Sequence, residues 1–159
     1  NLSKGTEFNK VINSEKLIIS ENALSIISDI SYFSKDAAGN HFEITSSSGT
    51  TDLTNPNIIN MNLVVAKIIL LTSEIIYITS DKAKYNNETY ETNFYGNVKA
   101  IYLEHQISSD NLHLFFQNNS ISMTNNVFYQ NPNASMKADR IEIDILVKKL
   151  NIFMDDRNK

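Results

Sequence analysis

The chain has no cysteine and no tryptophan, and only four glycines and two prolines in 159 residues. Without cysteine there is no disulfide, no thiolate metal site and no thiol nucleophile. So little glycine and proline leaves no flexible linker and no glycine-rich phosphate loop, which points to one domain. Positive charge is not in excess: 14 Lys and Arg stand against 18 Asp and Glu, for a net charge of -4. The basic stripe of a nucleic-acid binder is therefore missing. No apolar run is long enough to cross a bilayer, because the longest, Leu63 to Ile78, is interrupted by Lys67 and Glu74 and falls short of the roughly 20 residues needed. Any signal or anchor segment would lie upstream of Asn1.

Groupings that carry chemistry are also missing. His41, His105 and His113 have no metal-ligand spacing, and no Gly-x-Ser-x-Gly elbow occurs. Glu142 and Asp144 alternate with Ile141, Ile143 and Ile145, the pattern of a solvated strand face and not of an acid/base pair. No catalytic residue, metal or cofactor is expected.

What the chain does have is a repeat. Three aspartates recur at a spacing of 29 residues, in Ile78-Thr79-Ser80-Asp81, Ile107-Ser108-Ser109-Asp110 and Met136-Lys137-Ala138-Asp139. A companion phrase keeps the same step, Gly96-Asn97-Val98 returning as Asn125-Asn126-Val127. Copies at such a period are supersecondary units that bury their apolar faces only by stacking. Phe94, Met123 and Ile152 superimpose, as do Thr92, Ile121 and Leu150, and Val98 and Val127, while the intervening Asn93, Ser122 and Asn151 are polar. A period of two held in register across copies means β-strands with one buried face.

The apolar parity changes at the Ser/Ala-Asp step: Ile78, Ile107 and Met136 precede it, and Ala83, Leu112, Leu114 and Ile141 follow in the other phase. A one-residue phase change requires a bulge or bend. Ser80, Ser109 and Ala138 suit a tight corner, and Asp81, Asp110 and Asp139 are read as structural repeat positions that accept backbone N–H groups freed there. Turns are expected at Gly39-Asn40, Thr72-Ser73-Glu74, Asn86-Asn87, Glu104-His105, Asn118-Asn119, Pro132-Asn133 and Lys148-Lys149. Each unit is then an up-and-down hairpin. An earlier copy aligns at an offset of 34 residues, Phe42–Ser46 on Ile76–Ser80 and Val64–Ala66 on Val98–Ala100. The division expected is a less regular lead-in over residues 1–34, with Asn22–Ile27 read as a strand, a repeat domain over 35–155 and a charged tail over 156–159.

Asp36-Ala37-Ala38-Gly39-Asn40-His41-Phe42-Glu43-Ile44, followed by Ile78-Thr79-Ser80-Asp81 and then Tyr95-Gly96-Asn97-Val98, resembles the lipopolysaccharide-export proteins LptC and LptA and the related OstA-like domains, over roughly residues 30–154. The opening D-x-x-G-x-x-F-x-I stretch is nearer to LptC. The resemblance implies an all-β, V-shaped antiparallel β-jellyroll of stacked hairpins, open at both ends, that carries lipid and is not an enzyme. It also implies a periplasmic location with an N-terminal membrane tether. Groove residues for lipid A acyl chains would be Phe94, Val98, Met123, Val127, Leu150, Ile152, Ile78, Ile107, Leu112 and Leu114. The implied partners are lipopolysaccharide, an inner-membrane ABC transporter met by the N-terminal strands near Leu17 to Tyr32, and an LptA-like bridge protein. The bridge would add to the C-terminal edge at Leu150, Asn151, Ile152, Phe153 and Met154. Two other readings fit the same repeat: a soluble LptA-like bridge, and a β-solenoid structural protein or adhesin with a fully packed core. Periodicity alone serves a packed core and an open groove equally; the resemblance favours the groove.

Overall fold

Along every long strand the alternation of buried and exposed side chains breaks once, and the breaks fall on one line across the sheet. In the computed structural model, which describes residues 7–12, 16–18 and 25–154, the chain forms eleven strands. They are β1 (Glu7–Ile12), β2 (Lys16–Ile18), β3 (Ser25–Lys35), β4 (His41–Thr51), β5 (Ile58–Ile69), β6 (Ile75–Asn86), β7 (Thr92–Tyr102), β8 (His105–Phe115), β9 (Ser120–Asn131), β10 (Ala134–Asp144) and β11 (Lys149–Phe153). A 3-10 turn at Phe116–Asn118 joins β8 to β9. From β3 onward each strand pairs antiparallel with the next, in one open sheet that β1 and β2 extend end to end along β3. The expected turns all fall at junctions between strands, although Asn86, His105 and Lys149 are themselves the end residues of β6, β8 and β11. Of the segment Asn22–Ile27, Ser25–Ile27 open β3, while Asn22–Leu24 lie outside the described residues, as does the charged tail. β3 lies largely within residues 1–34, the span read as the lead-in.

The line of breaks uses two devices on alternate strands. On β3, β5, β7 and β9 it is a residue at positive φ: Asp29, Leu63, Asn97 beside Gly96, and Asn126 beside Asn125. On β4, β6 and β8 a serine hydroxyl donates across the kink to the carbonyl two residues on, Ser46 to Ser48, Ser80 to Lys82 and Ser109 to Asn111, the last two at 2.8 Å. Ladder register shifts at the same places, between Thr79 and Lys82 and between Ser108 and Asn111. Asp81 and Asp110 accept the side-chain amides of Asn97 and Asn126 across the strand pair. The serine, then, spans the kink on its own strand, and the aspartate joins its kink to that of the next strand.

Bent along this line, the sheet becomes two facing wings. Wing A holds the halves that include Tyr32, Phe42, Ile78 and Ile107; wing B holds those with Tyr85, Phe94, Leu112, Met123 and Ile152. Tyr32 and Tyr85 sit three strands apart, about 14 Å in a flat sheet, yet their ring centroids are 4.8 Å apart. Phe42 and Phe116 are four strands apart and lie at 5.3 Å. Only a sheet folded face to face can bring these rings together, and the buried apolar face of both wings becomes a shared interior.

The 34-residue offset has a local cause. Seventeen residues separate Ser46 from Leu63, Ser80 from Asn97 and Ser109 from Asn126. The return leg is also seventeen from Leu63 to Ser80, but twelve from Asn97 to Ser109 and from Asn126 to Ala138. All the extra length lies in the β5–β6 hairpin, whose turn at Leu70–Glu74 extends to the tip of wing B.

Candidate apolar groove and strand edges

All ten candidate groove residues point to the interior. Cross-strand pairing places Phe94, Leu112, Met123 and Ile152 in one row of wing B, with Leu114 and Leu150 in the row nearer its tip. Ile78 and Ile107 lie in one row of wing A, and Val98 and Val127 sit beside the kink. Phe94, Val98, Met123, Ile78, Leu112 and Leu114 are fully buried, Val127 and Ile107 nearly so, and Leu150 and Ile152 partly. Burying a side chain such as Phe94 or Leu112 contributes about 1.5–3 kcal/mol each, so these residues form the core that holds the wings together. An interior gap of about 40 Å³ lies between Ile76, Ala100, Tyr102, His105 and Ile107 of wing A and Ile143 and Lys148–Leu150 of wing B. Liquid water occupies about 30 Å³ per molecule, so an acyl chain enters this gap only if the wings spread.

The slit between the wing tips is closed differently along its length. Its N-terminal half is filled by aromatic rings, Tyr32 on Tyr85 and Phe42 on Phe116. Burial raises the Tyr85 phenol far above its ordinary range, with a small addition from Tyr32. The C-terminal half is bridged by polar groups. Glu74 on the β5–β6 turn accepts from the Tyr102 hydroxyl at 2.8 Å and from Lys148 of the β10–β11 turn at 3.2 Å, and Lys148 also donates to Thr72 at 3.2 Å. The Tyr102 bond, followed by Lys148, holds the Glu74 carboxyl below its usual range. Tyr102 is pushed up to about 12, chiefly by burial and then by Glu74. Behind it, His105 Nδ1 and the Tyr129 hydroxyl share a 2.6 Å hydrogen bond, and Asn131 donates to the same oxygen.

The C-terminal edge is stepped. β11 has five residues against eleven in β10 and pairs only with Arg140–Asp144. Leu150, Asn151, Ile152 and Phe153 form the outermost strand of wing B, stacked by Arg140 over the Phe153 ring at 4.0 Å, and Met154 follows as an exposed residue. In wing A the edge is instead the first half of β10, where Ala134, Ser135, Met136 and Lys137 are exposed. Sequence reading missed this half; its signal is the shortness of the last strand relative to the one before it. Met136 occupies the same interior row as the buried Ile78 and Ile107, yet is 39% exposed, since among the described residues no strand of wing B reaches over it.

Among the described residues no group of His, Asp or Glu is arranged to hold a metal, and no helix is long and apolar enough to cross a membrane. An open antiparallel sheet bent into two wings around an apolar interior defines a β-jellyroll. The chain matches the profile of the family described as "Lipopolysaccharide-assembly, LptC-related" over residues 8–153. It belongs to that LptC family, a component of periplasmic lipopolysaccharide transport. No curated relative matches the chain by sequence.

Proposed function

We propose that the chain is a carrier that takes the acyl chains of lipid A between its wings and passes lipopolysaccharide from the inner-membrane transporter to a bridge protein. Family membership supports the pathway. The observation that carries the finer reading is the continuous apolar interior, which runs from wing to wing and reaches a C-terminal rim where Met136 is exposed. Leu, Ile, Met and Phe side chains repack around alkyl groups at modest cost. The lipid enters by replacing contacts between the wings with contacts to its own methylenes. Strand addition then continues the sheet: the stepped edge formed by Ala134–Lys137 and Lys149–Met154 receives the first strand of an LptA-like protein, while β1–β3 face the transporter. In this reading the carrier is tethered to the inner membrane.

Photocrosslinking tests this reading. A photoreactive residue replaces Phe94, Met123 or Ile152 in turn, with outer-face controls at Asn93 and Ser122, in membranes making lipopolysaccharide. Adducts confined to the first three sites are expected; adducts at none of them in folded protein return the chain to the packed structural or adhesin reading. For the edge, truncation after Lys148 is expected to abolish capture of the bridge protein, and undiminished capture refutes that assignment.

A further inference from the structure

The two halves of the slit differ in what it takes to open them. Parting the N-terminal half separates Tyr32 from Tyr85 and Phe42 from Phe116, all four fully buried rings. Buried aromatic rings bring large apolar areas and ring-on-ring contact to a core, so separating them is costly. Parting the C-terminal half removes the contact of Lys148 with Glu74 and Thr72, whose charged side chains are about one-third exposed (34% and 33%) and readily rehydrated. It uncovers aliphatic side chains, Ile76, Ala100 and Ile107 facing Ile143 and Leu150, with no ring-on-ring contact between the wings there among the described residues. Beneath that contact lies the interior gap, and Lys148 itself forms part of its wall. Glu74 reaches Lys148 from the β5–β6 hairpin, whose seventeen-residue leg from Leu63 to Ser80 is five longer than the later wing A legs from Asn97 to Ser109 and from Asn126 to Ala138. On the rim around it Leu71, Leu103, Leu146 and Val147 stand more than half exposed, on three turns that belong to both wings.

We infer that the contact of Lys148 with Glu74 and Thr72 is a latch on the C-terminal half of the slit, and that an acyl chain enters sideways between the wings when it releases. The inference rests on the proposed lipid-carrier reading and adds where the lipid enters and what controls entry. The exposed leucines are the lips over which methylenes slide, and the aromatic seam is the hinge side that stays shut. Release exchanges a weak ion pair for hydration, and the aliphatic contacts it uncovers beside the gap are replaced by lipid methylenes, so the wings part without unfolding the sheet.

The absence of native cysteine makes two measurements clean. In the first, a maleimide labels Ile107→Cys, which lines the gap, or Ile44→Cys, buried toward the aromatic half. Adding Lys148→Ala is expected to speed labelling at residue 107 about tenfold while leaving residue 44 unchanged, as a local opening does. No change at 107, or an equal rise at both, overturns the latch. In the second, Glu74→Cys and Lys148→Cys are joined by a reducible bismaleimide in protein carrying the photoreactive residue at Met123. Lipid adducts are expected to fall at least about fivefold when joined and to return on reduction, as a gated opening requires. Adducts that persist in the joined protein overturn the latch and leave the carrier reading standing. Adducts absent from the unjoined protein overturn the carrier reading, and this inference with it.

Discussion

Asn97 donates its side-chain amide to Asp81 at 2.8 Å, and one repeat later Asn126 does the same to Asp110. The bond joins the kink of one strand to that of its neighbour, so the bend passes across the sheet in register. A double-mutant cycle on Asp81→Ala and Asn97→Ala should give a coupling of about 0.5–1 kcal/mol, the net worth of an exposed hydrogen bond. Asn97→Ala alone costs more, since Asn97 sits at φ 49° where alanine is disfavoured. That backbone cost is common to both legs and cancels in the cycle. Urea unfolding of the four proteins measures it, and zero coupling means the aspartates do not join the kinks.

Gly96 occupies φ +81°, and a Cβ built there would stand 3.0 Å from the Asp81 Cβ. Both the backbone and the neighbour object to a side chain. Gly96→Ala should therefore lose more than about 1 kcal/mol, outweighing the entropy that alanine removes from the unfolded chain. The equivalent position one repeat on is Asn125, which bears a side chain at φ 68°, so Gly96→Asn should recover part of the loss. Thermal melts of the two variants side by side decide the order.

The strands, the turns and the inward rows were legible because a period of two and a repeat of 29 residues are local signals. The phase change at Ser80-Asp81 located the bend, and the 34-residue alignment rightly matched Ser46 with Ser80, since both hydroxyls span a kink. The chemistry at the kink was less legible: serine and aspartate both bond locally, and which one meets backbone and which meets the next strand depends on side-chain direction. Cross-wing contacts were not legible at all. That Tyr32 meets Tyr85 follows from how far the folded sheet twists before its faces touch, and no spacing in the chain encodes that offset.

Phe116 is fully buried beyond the end of β8 and stacks on Phe42 from the opposite wing. Phe116→Ala removes a ring from the aromatic seam without touching the sheet ladder, and should cost about 3–5 kcal/mol. Ile107→Val, beside the gap of about 40 Å³ at the other half of the slit, should cost only about 0.5–1.5 kcal/mol. Denaturant midpoints should fall in that order with an unchanged slope. Equal losses would mean that the Phe116 ring, despite its burial, adds little to the contact between the wings.

The polar closure carries a pH signature with a definite sign. Glu74 is held below its ordinary carboxyl range, first by the Tyr102 hydroxyl and then by Lys148; the charge that faces it is Lys148 at 3.2 Å, with His105 stacked behind Tyr102. A depressed carboxyl stabilises the folded state fully above its unfolded value, and that contribution disappears as pH falls through the folded one. Tyr102, raised to about 12, stays protonated throughout and continues to donate. The melting temperature of the wild-type chain should therefore exceed that of Glu74→Gln by a constant margin near neutrality. The margin should shrink as the pH falls below the ordinary carboxyl range and vanish once Glu74 is protonated, when both proteins carry a neutral group. His105 is common to both proteins and drops out of the difference. A margin that grows on acidification would mean Glu74 is strained by its burial and not held by its donors, and Lys148 would then have no charge to clasp.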